Sequence, residues 1–163
     1  MKNIVLIGMM GCGKTTISQL LSKKLQRPCV DIDEYLVLKY QMTIPQMFDI
    51  SEDYFRDHET ECCYDVGCYD GYIISTGGGV IKRKENIEAL HRNGIIIYLD
   101  RPVENIYQDV DISSRPLLKD GPQKLYDLFE ERHQSYLDAC DYHIMNDSSL
   151  DDVIHKIISI ENK

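Results

Sequence analysis

The chain has 163 residues, a length that predicts one domain with a substantial hydrophobic core. Its 27 acidic and 18 basic side chains give a net charge of −9, the reverse of the balance typical of nucleic-acid-binding proteins. No apolar run approaches the ~20 residues of a membrane span, and the first residues, MKNIVLIG, predict a strand and no signal peptide. We therefore expect a soluble cytoplasmic protein without nucleic-acid or membrane partners.

The cysteine pattern agrees with a cytoplasmic location. The six cysteines include no C-x-x-C pair, and Cys62 and Cys63 are adjacent. This cysteine spacing is not typical of a disulfide framework or of a zinc site. We expect reduced thiols, and we do not interpret the helical spacing of His58 and Cys62 as a metal site.

Short β-rich runs alternate with helical patterns along the chain, which predicts an α/β fold with a parallel sheet covered by helices on both faces. The run IIIYL at 95–99 is apolar without alternation, as in a strand buried on both faces. The predicted strands are 4–7, 29–32, 72–75, 95–99 and 142–145, and apolar periodicity predicts helices after the first glycine-rich loop, at 52–68, at 122–138 and from 150 onward.

The sequence GMMGCGKT, from Gly8 to Thr15, matches G-x-x-x-x-G-K-T between a predicted strand and a predicted helix. Glycines allow backbone N–H groups to converge on a phosphate, and the helix N-terminus adds a positive dipole end. Lys14 is expected to bridge the β- and γ-phosphates and the Thr15 hydroxyl to bind Mg²⁺. The loop predicts a nucleoside triphosphate site formed by Gly11, Cys12, Gly13, Lys14, Thr15 and Thr16.

The sequence VDIDE ends the second predicted strand with Asp31 and Asp33 two residues apart. Strand spacing would place both carboxylates on one face, at the sheet edge where parallel α/β folds bind ligands. Asp31 is a candidate for holding the metal through water, and Asp33 for accepting a hydrogen bond from an acceptor hydroxyl. A purely structural alternative is that Asp33 caps the following helix.

Two arginines lie on apolar faces of predicted helices. Arg132 continues the stripe that contains Leu125 and Tyr136, and Arg56 shares a face with Glu59. An unpaired buried guanidinium is costly, so inward-facing arginines indicate an anionic guest, and a pair suits a planar carboxylate. A surface pair between Arg56 and a neighbouring glutamate remains the alternative.

The third predicted strand runs into Gly77, Gly78 and Gly79. Three glycines present bare backbone, which can approach a ligand ring closely and offer it N–H groups. A flexible turn is the alternative interpretation. Further along, residues 108–122 lack both helical and strand periodicity and contain Pro116, Gly121 and Pro122, which predicts a mobile loop.

In order along the chain, GMMGCGKTT, DID, FRDHE, STGGG, RPLL and the R-x-x-x-Y of RHQSY resemble the shikimate kinase family. The resemblance implies a three-layer P-loop kinase fold, related to nucleoside monophosphate kinases, with a five-stranded parallel sheet and a mobile lid. It implies Mg²⁺-dependent transfer of the ATP γ-phosphate to the 3-hydroxyl of shikimate, on the route to chorismate and the aromatic amino acids.

The resemblance also assigns roles along a single domain, 1–163, with a substrate-binding helical region near 33–62 and a lid near 109–121. It implies a monomer with the catalytic residues Lys14, Asp33 and Arg115, of which Arg115 also binds the nucleotide from the lid. It implies shikimate contacts from Asp33, Arg56, Gly77, Gly78, Gly79 and Arg132, and metal contacts from Thr15 and Asp31.

One position departs from the family pattern. Members often carry an adenine-stacking arginine seven residues before the lid arginine, whereas this chain has Gln108. We expect weaker adenine contact, or compensation from residues 146–149.

Three other functions remain open at this stage, because a fold does not fix an acceptor. One is a kinase for another small hydroxy acid such as gluconate. Another is a nucleotide-binding regulatory module without turnover. A nucleoside monophosphate kinase is a weaker option, because no insert for reading a base is evident.

Overall fold

A computed structural model describes residues 1–109 and 121–163 of the chain. Five parallel strands form one sheet in the order β2-β3-β1-β4-β5. The strands are β1 (Asn3–Ile7), β2 (Cys29–Asp31), β3 (Ile73–Ser75), β4 (Gly94–Asp100) and β5 (Tyr142–Met145). The predicted α/β class with a five-stranded parallel sheet is confirmed, and all five strand predictions agree with these bounds to within one residue at each end.

The centre of the sheet is buried on both faces, as the apolar run at 95–99 predicts. Every residue of β1 is buried, and β1 pairs with β4 from Asn3↔Gly94 to Ile7↔Tyr98. Alternate side chains of these strands enter two separate apolar clusters, because successive strand residues point to opposite faces. Val5 and Ile7 belong to one cluster, and Ile4 and Leu6 to the other. The sheet is therefore a firm base for the loops at its carboxyl edge.

Eight helices and one short 3₁₀ helix (Val80–Lys82) occur among the described residues. The helices are α1 (Lys14–Leu25), α2 (Ile32–Tyr40), α3 (Ile44–Ile50), α4 (Glu52–Gly67), α5 (Lys84–His91), α6 (Val103–Asp109), α7 (Gln123–Ala139) and α8 (Leu150–Glu161). Side-chain caps start several of them: Thr43 forms a capping box for α3, and Ser51 and Ser149 accept from backbone N–H groups of α4 and α8.

The structure corrects the prediction for the VDIDE segment. Strand β2 ends at Asp31, whose side chain accepts a hydrogen bond from Glu34 N at 3.1 Å and so caps α2. Asp33 therefore lies in the first turn of a helix, and the strand-spacing argument for a shared face is wrong. The capping residue is Asp31, not Asp33, because the chain turns into the helix one residue earlier than the apolar pattern indicates.

Residues 110–120 lie outside the described part of the chain. They include Arg115 and nearly all of the predicted lid, so both remain predictions. Within residues 1–109 and 121–163, no helix has the length and apolar character needed to cross a bilayer.

Candidate active site

The loop between β1 and α1 has a backbone that only glycine adopts readily. Gly8 has φ +148° and Gly13 has φ +103°. A Cβ on Gly8 would lie 2.5 Å from the Leu99 carbonyl oxygen, and one on Gly13 would lie 2.8 Å from Asn146 Nδ2. The loop therefore packs tightly against the ends of β4 and β5, which explains the glycine spacing.

Lys14 is the first residue of α1 and folds back over the loop. Its Nζ donates to the carbonyl oxygens of Gly8 at 2.6 Å and Met9 at 2.8 Å, and its side chain is buried. These bonds fix the ammonium group beside the loop backbone, where a phosphate would sit. The side chains of Thr15 and Thr16 are exposed beside it, at the start of the helix.

Cys12 differs from the other predicted loop residues. Its side chain is fully buried, and its backbone N–H and C=O bond to Met9 O and Asn146 Nδ2 at 3.2 and 2.7 Å. It does not line the cavity described next, so its observed contribution is to the shape of the loop. Direct nucleotide binding by Cys12 remains a prediction.

A cavity of about 750 Å³ lies at the carboxyl edge of the sheet and joins the separate sequence motifs. Among the described residues predicted from sequence, it is lined by Gly11, Gly13, Lys14, Thr15, Thr16, Asp31, Asp33, Arg56, Gly77, Gly78, Gly79 and Arg132. Parallel α/β sheets bind ligands at this edge, because the strand ends and helix N-termini converge there.

The triple glycine gives both predicted arginines room at the cavity. A Cβ on Gly79 would lie 2.4 Å from Arg56 Nη2, and one on Gly78 would lie 3.3 Å from Arg132 Nη1. Gly78 also accepts a hydrogen bond from Tyr136 at 2.6 Å through its carbonyl. The two guanidinium groups therefore pack directly against bare backbone, and this backbone is held in place from α7.

Arg56 is buried and is oriented by its own helix. Its Nη1 donates to Glu59 Oε1 at 2.8 Å, and Glu59 is only 1% exposed. The rings of Phe55 and Phe48 lie within 5.0 and 5.9 Å of the guanidinium carbon. Burial raises the pKa of Glu59, and the charge of Arg56 opposes that rise. Arg56 therefore faces the cavity in a desolvated ion pair with Glu59, and its Nε also contacts Oε2 of the half-exposed Glu52 at 3.4 Å, so part of the surface-pair alternative is present as well.

Arg132 reaches the same cavity from α7. Its Nε is buried and has no hydrogen-bond partner among the described residues. A buried and unpaired donor atom on a charged side chain is costly unless a ligand oxygen meets it. The helical stripe predicted this inward placement correctly, since Leu125 and Tyr136 are fully buried on the same helix.

Asp33 lies against the wall formed by the glycines. Its carboxylate oxygens lie 3.2 and 3.3 Å from where a Cβ on Gly77 would stand, and Oδ1 has no hydrogen-bond partner among the described residues. Burial, together with the charges of Asp31 and Glu59, raises the pKa of Asp33 to about 6, against the opposing charges of Lys14 and Arg56. Such a carboxylate is suited to accept a proton near neutral pH.

The chemistry of this donor set fits Mg²⁺. The Thr15 hydroxyl and the Asp31 carboxylate line the cavity together, and oxygen donors are the ligands that Mg²⁺ prefers. One Asp31 oxygen is engaged by Glu34 N, which agrees with a role through water better than with direct ligation by both oxygens. Metal binding by these residues remains a prediction.

A second cavity, of about 340 Å³, adjoins the first on the side of β4 and β5. Gly13, Thr16, Arg101 and Asp109 line both cavities. Asn146 lines the second, and its Nδ2 donates to Cys12 O in the phosphate loop at 2.7 Å. Sequence reasoning named 146–149 on this side but missed Arg101, although a cation directly after the strand at 94–100 stands where ligands bind.

Comparison with known proteins gives a consistent family. Residues 10–161 match the family model described as shikimate kinase. The shikimate kinase of Clostridium botulinum strain Alaska E43 is 47% identical over 161 residues, covering 98% of each chain.

Solved structures agree with the sequence comparisons. A shikimate kinase from Acinetobacter baumannii, in complex with shikimate, has a TM-score of 0.90 and 35% identity, over 100% of this chain and 95% of its own. The Aquifex aeolicus enzyme has a TM-score of 0.81 and 32% identity, over 98% and 96% of the two chains. The family model and these full-length likenesses lead to one conclusion: the chain belongs to the shikimate kinase family.

Proposed function

We propose that this protein transfers the γ-phosphate of ATP to the 3-hydroxyl of shikimate, giving shikimate 3-phosphate on the route to chorismate. The observation that carries the proposal is the packing of Arg56 and Arg132 against Gly78 and Gly79, in the cavity that also contains the phosphate loop. A carboxylate between two guanidinium groups, with a flat ring over bare backbone, suits this wall. The Acinetobacter relative is a shikimate complex, which supports the same guest.

In this proposal each side chain acts mainly by position and charge, because phosphoryl transfer requires little covalent participation from the protein. Asp33 accepts a hydrogen bond from the attacking hydroxyl and is able to take its proton. Arg56 and Arg132 hold the acceptor carboxylate, so that the hydroxyl points toward the phosphate loop. Lys14 leaves its carbonyl partners to offset charge on the transferred group.

Two further parts of the proposal come from the family. Thr15, and Asp31 through water, would hold Mg²⁺, which would supply charge neutralisation at the phosphates. Arg115, outside the described residues, adds a second cation from a lid at 109–121 that excludes water. We also propose that the protein acts as a cytoplasmic monomer, an oligomeric state that light scattering tests directly.

The proposal is tested by shikimate-dependent ADP formation, measured with a coupled assay at one ATP concentration, with and without Mg²⁺. We expect turnover with shikimate and Mg²⁺, and loss of turnover when the metal is chelated. A panel containing gluconate and other small hydroxy acids tests the acceptor. Faster turnover with gluconate would overturn the acceptor assignment, and ATP binding without turnover on any acceptor would indicate a regulatory module.

A further inference from the structure

Arg101 stands at the junction of the two cavities. It follows β4 directly at the carboxyl edge of the sheet and lines both the cavity of about 750 Å³ and the cavity of about 340 Å³. Nucleoside triphosphates are elongated. When the β- and γ-phosphates of a nucleotide lie on the phosphate loop, its α-phosphate lies near the junction of the two cavities. The position of Arg101 is therefore that of a nucleotide contact.

The contacts of Arg101 place its guanidinium on the phosphate loop itself. Nη1 donates to the carbonyl oxygen of Gly11 at 3.0 Å, and Nη2 forms an ion pair with Asp109 at the end of α6. The Arg101 side chain is 21% exposed, whereas that of Asp109 is 63% exposed. A guanidinium has five N–H donors, so these two partners leave donors for a third, anionic one.

The charges around the smaller cavity indicate why a nucleotide would need Arg101. Its charged lining residues are Arg101, Asp109 and Asp147, and position 108 carries a neutral glutamine. A polyanionic nucleotide entering between two carboxylates is repelled unless a cation offsets them. Among the described residues that line this cavity, Arg101 is the one cation.

We propose that Arg101 binds the α-phosphate of the nucleotide, and that Asp109 competes with the phosphate for the same guanidinium. The proposal rests on ATP being the phosphate donor and adds a cation that offsets the carboxylates of Asp109 and Asp147. Asp109 ends α6, and its carboxylate and the phosphate would share the donors of one guanidinium.

A purely structural role is the competing explanation, since Arg101 also joins the phosphate loop to α6. The two roles differ in three measurable ways. A structural role would disturb both substrates together and would lower thermal stability in proportion. If Arg101 binds a phosphate, its removal raises the KM for ATP alone. A lysine at this position restores the KM for ATP, because it keeps the positive charge.

The test measures ADP binding in the presence of Mg²⁺ by titration calorimetry, without shikimate, for Arg101→Ala, Arg101→Lys and Asp109→Asn. Arg92→Ala, at an exposed position outside both cavities, controls for the loss of one positive charge. We expect Arg101→Ala to weaken ADP binding about tenfold, the loss of one charge-assisted hydrogen bond. We expect Arg101→Lys to recover to within about threefold of the wild type, and Asp109→Asn to bind ADP about threefold more tightly.

Steady-state kinetics complete the test. Arg101→Ala should raise the KM for ATP and leave the KM for shikimate within about twofold, with a Tm close to that of Arg92→Ala. ADP affinity of Arg101→Ala equal to that of Arg92→Ala, or no recovery by lysine, would overturn the assignment to phosphate. Weaker ADP binding by Asp109→Asn would overturn the competition. Wild-type protein that binds ADP but does not phosphorylate shikimate would refute the proposed function alone, since the ADP titrations involve no acceptor.

Discussion

The acceptor half and the nucleotide half of the cavity hold charge in different ways. On the acceptor side, Arg56 and Glu59 are 8% and 1% exposed and bonded to each other, and Asp33 has a raised pKa. On the nucleotide side, Arg101 and Asp109 are partly or largely exposed, and the buried cation Lys14 is held by backbone carbonyl oxygens, not by a carboxylate. The phosphate loop there relies on backbone geometry and on glycines with positive φ.

This difference indicates two modes of recognition. Charges removed from water interact strongly and tolerate little mismatch, so the acceptor side is suited to select one small acid. Exposed charges and backbone N–H groups are screened and adaptable, and they suit a phosphate chain that many kinases share. Substitutions on the acceptor side should therefore have the larger effects, and the activity predictions below test that ordering.

The largest effect is expected for Asp33→Asn. Losing the proton acceptor should lower kcat with shikimate ~1000-fold, within the range for general base catalysis, and leave ADP binding nearly unchanged. A coupled ADP assay measures the rate. Asp49→Asn, an exposed position on α3, is the matched control. A kcat within about tenfold of the wild type would exclude Asp33 as the base.

The same variant should be more stable than the wild type above neutral pH. Folding raises the Asp33 pKa from 3.8 to about 6, so the folded state disfavours the carboxylate and loses stability as pH rises through this window. Removing the charge should increase the free energy of unfolding by up to about 3 kcal/mol at about pH 8 and by nearly nothing well below about pH 4. Urea unfolding at both pH values measures this. An equal change at both would contradict the linkage.

Arg132→Ala is expected to lower kcat/KM for shikimate at least ~100-fold, because it removes a charge-assisted clamp whose Nε donor is buried and unpaired among the described residues. Initial rates at varied shikimate give the value, with Arg92→Ala as the control for charge. The KM for ATP should change far less. Near-normal turnover with shikimate would remove Arg132 from the carboxylate site.

Gly79→Ala tests the bare backbone wall without removing a charge. The new Cβ would lie 2.4 Å from Arg56 Nη2, and the end of that side chain must shift. We expect the KM for shikimate to rise about tenfold, of the order of one charge-assisted hydrogen bond, with the KM for ATP unchanged. Gly78→Ala, whose Cβ would lie 3.3 Å from Arg132 Nη1, should have the smaller effect. The reverse order would show that the wall does not act through Arg56.

The smallest effect is expected on the nucleotide side. Asn146→Ala removes the hydrogen bond from Nδ2 to Cys12 O, which holds the phosphate loop from β5. We expect the KM for ATP to rise about threefold to fivefold, the worth of one neutral hydrogen bond, with shikimate binding unaffected. ATP-dependent rates measure it. An effect as large as that of Arg132→Ala would contradict the contrast between the two halves.

Much of the fold could be predicted from local pattern. Strand β5 and most of α4, α7 and α8 follow from apolar periodicity, and the phosphate loop follows from glycine spacing. The short helices α3, α5 and α6 were not predicted, because seven or eight residues give too few repeats of a helical period. The boundary at Asp31 was wrong because capping depends on where the backbone turns.

Site residues could be predicted where a charged side chain falls on an otherwise apolar helix face. Arg56 and Arg132 stood on apolar faces, and the structure brings both to the cavity. Arg101 could not be predicted in this way, because it follows a strand in a connecting segment, where a charged residue is common. Its partner Gly11 is 90 positions away, and Asn146 is 134 positions from Cys12. Roles of individual site residues remain predictions until the variants are measured.

The sequence alone determined the strand–loop–helix of the phosphate site, the alternation of strands and helices, and the family, since each depends on neighbours within a few turns of chain. The tertiary structure decided which helix carries Asp33, which glycine faces which arginine, and which cation stands between the two cavities. Those facts follow from the order β2-β3-β1-β4-β5, which brings distant loops to one edge of the sheet.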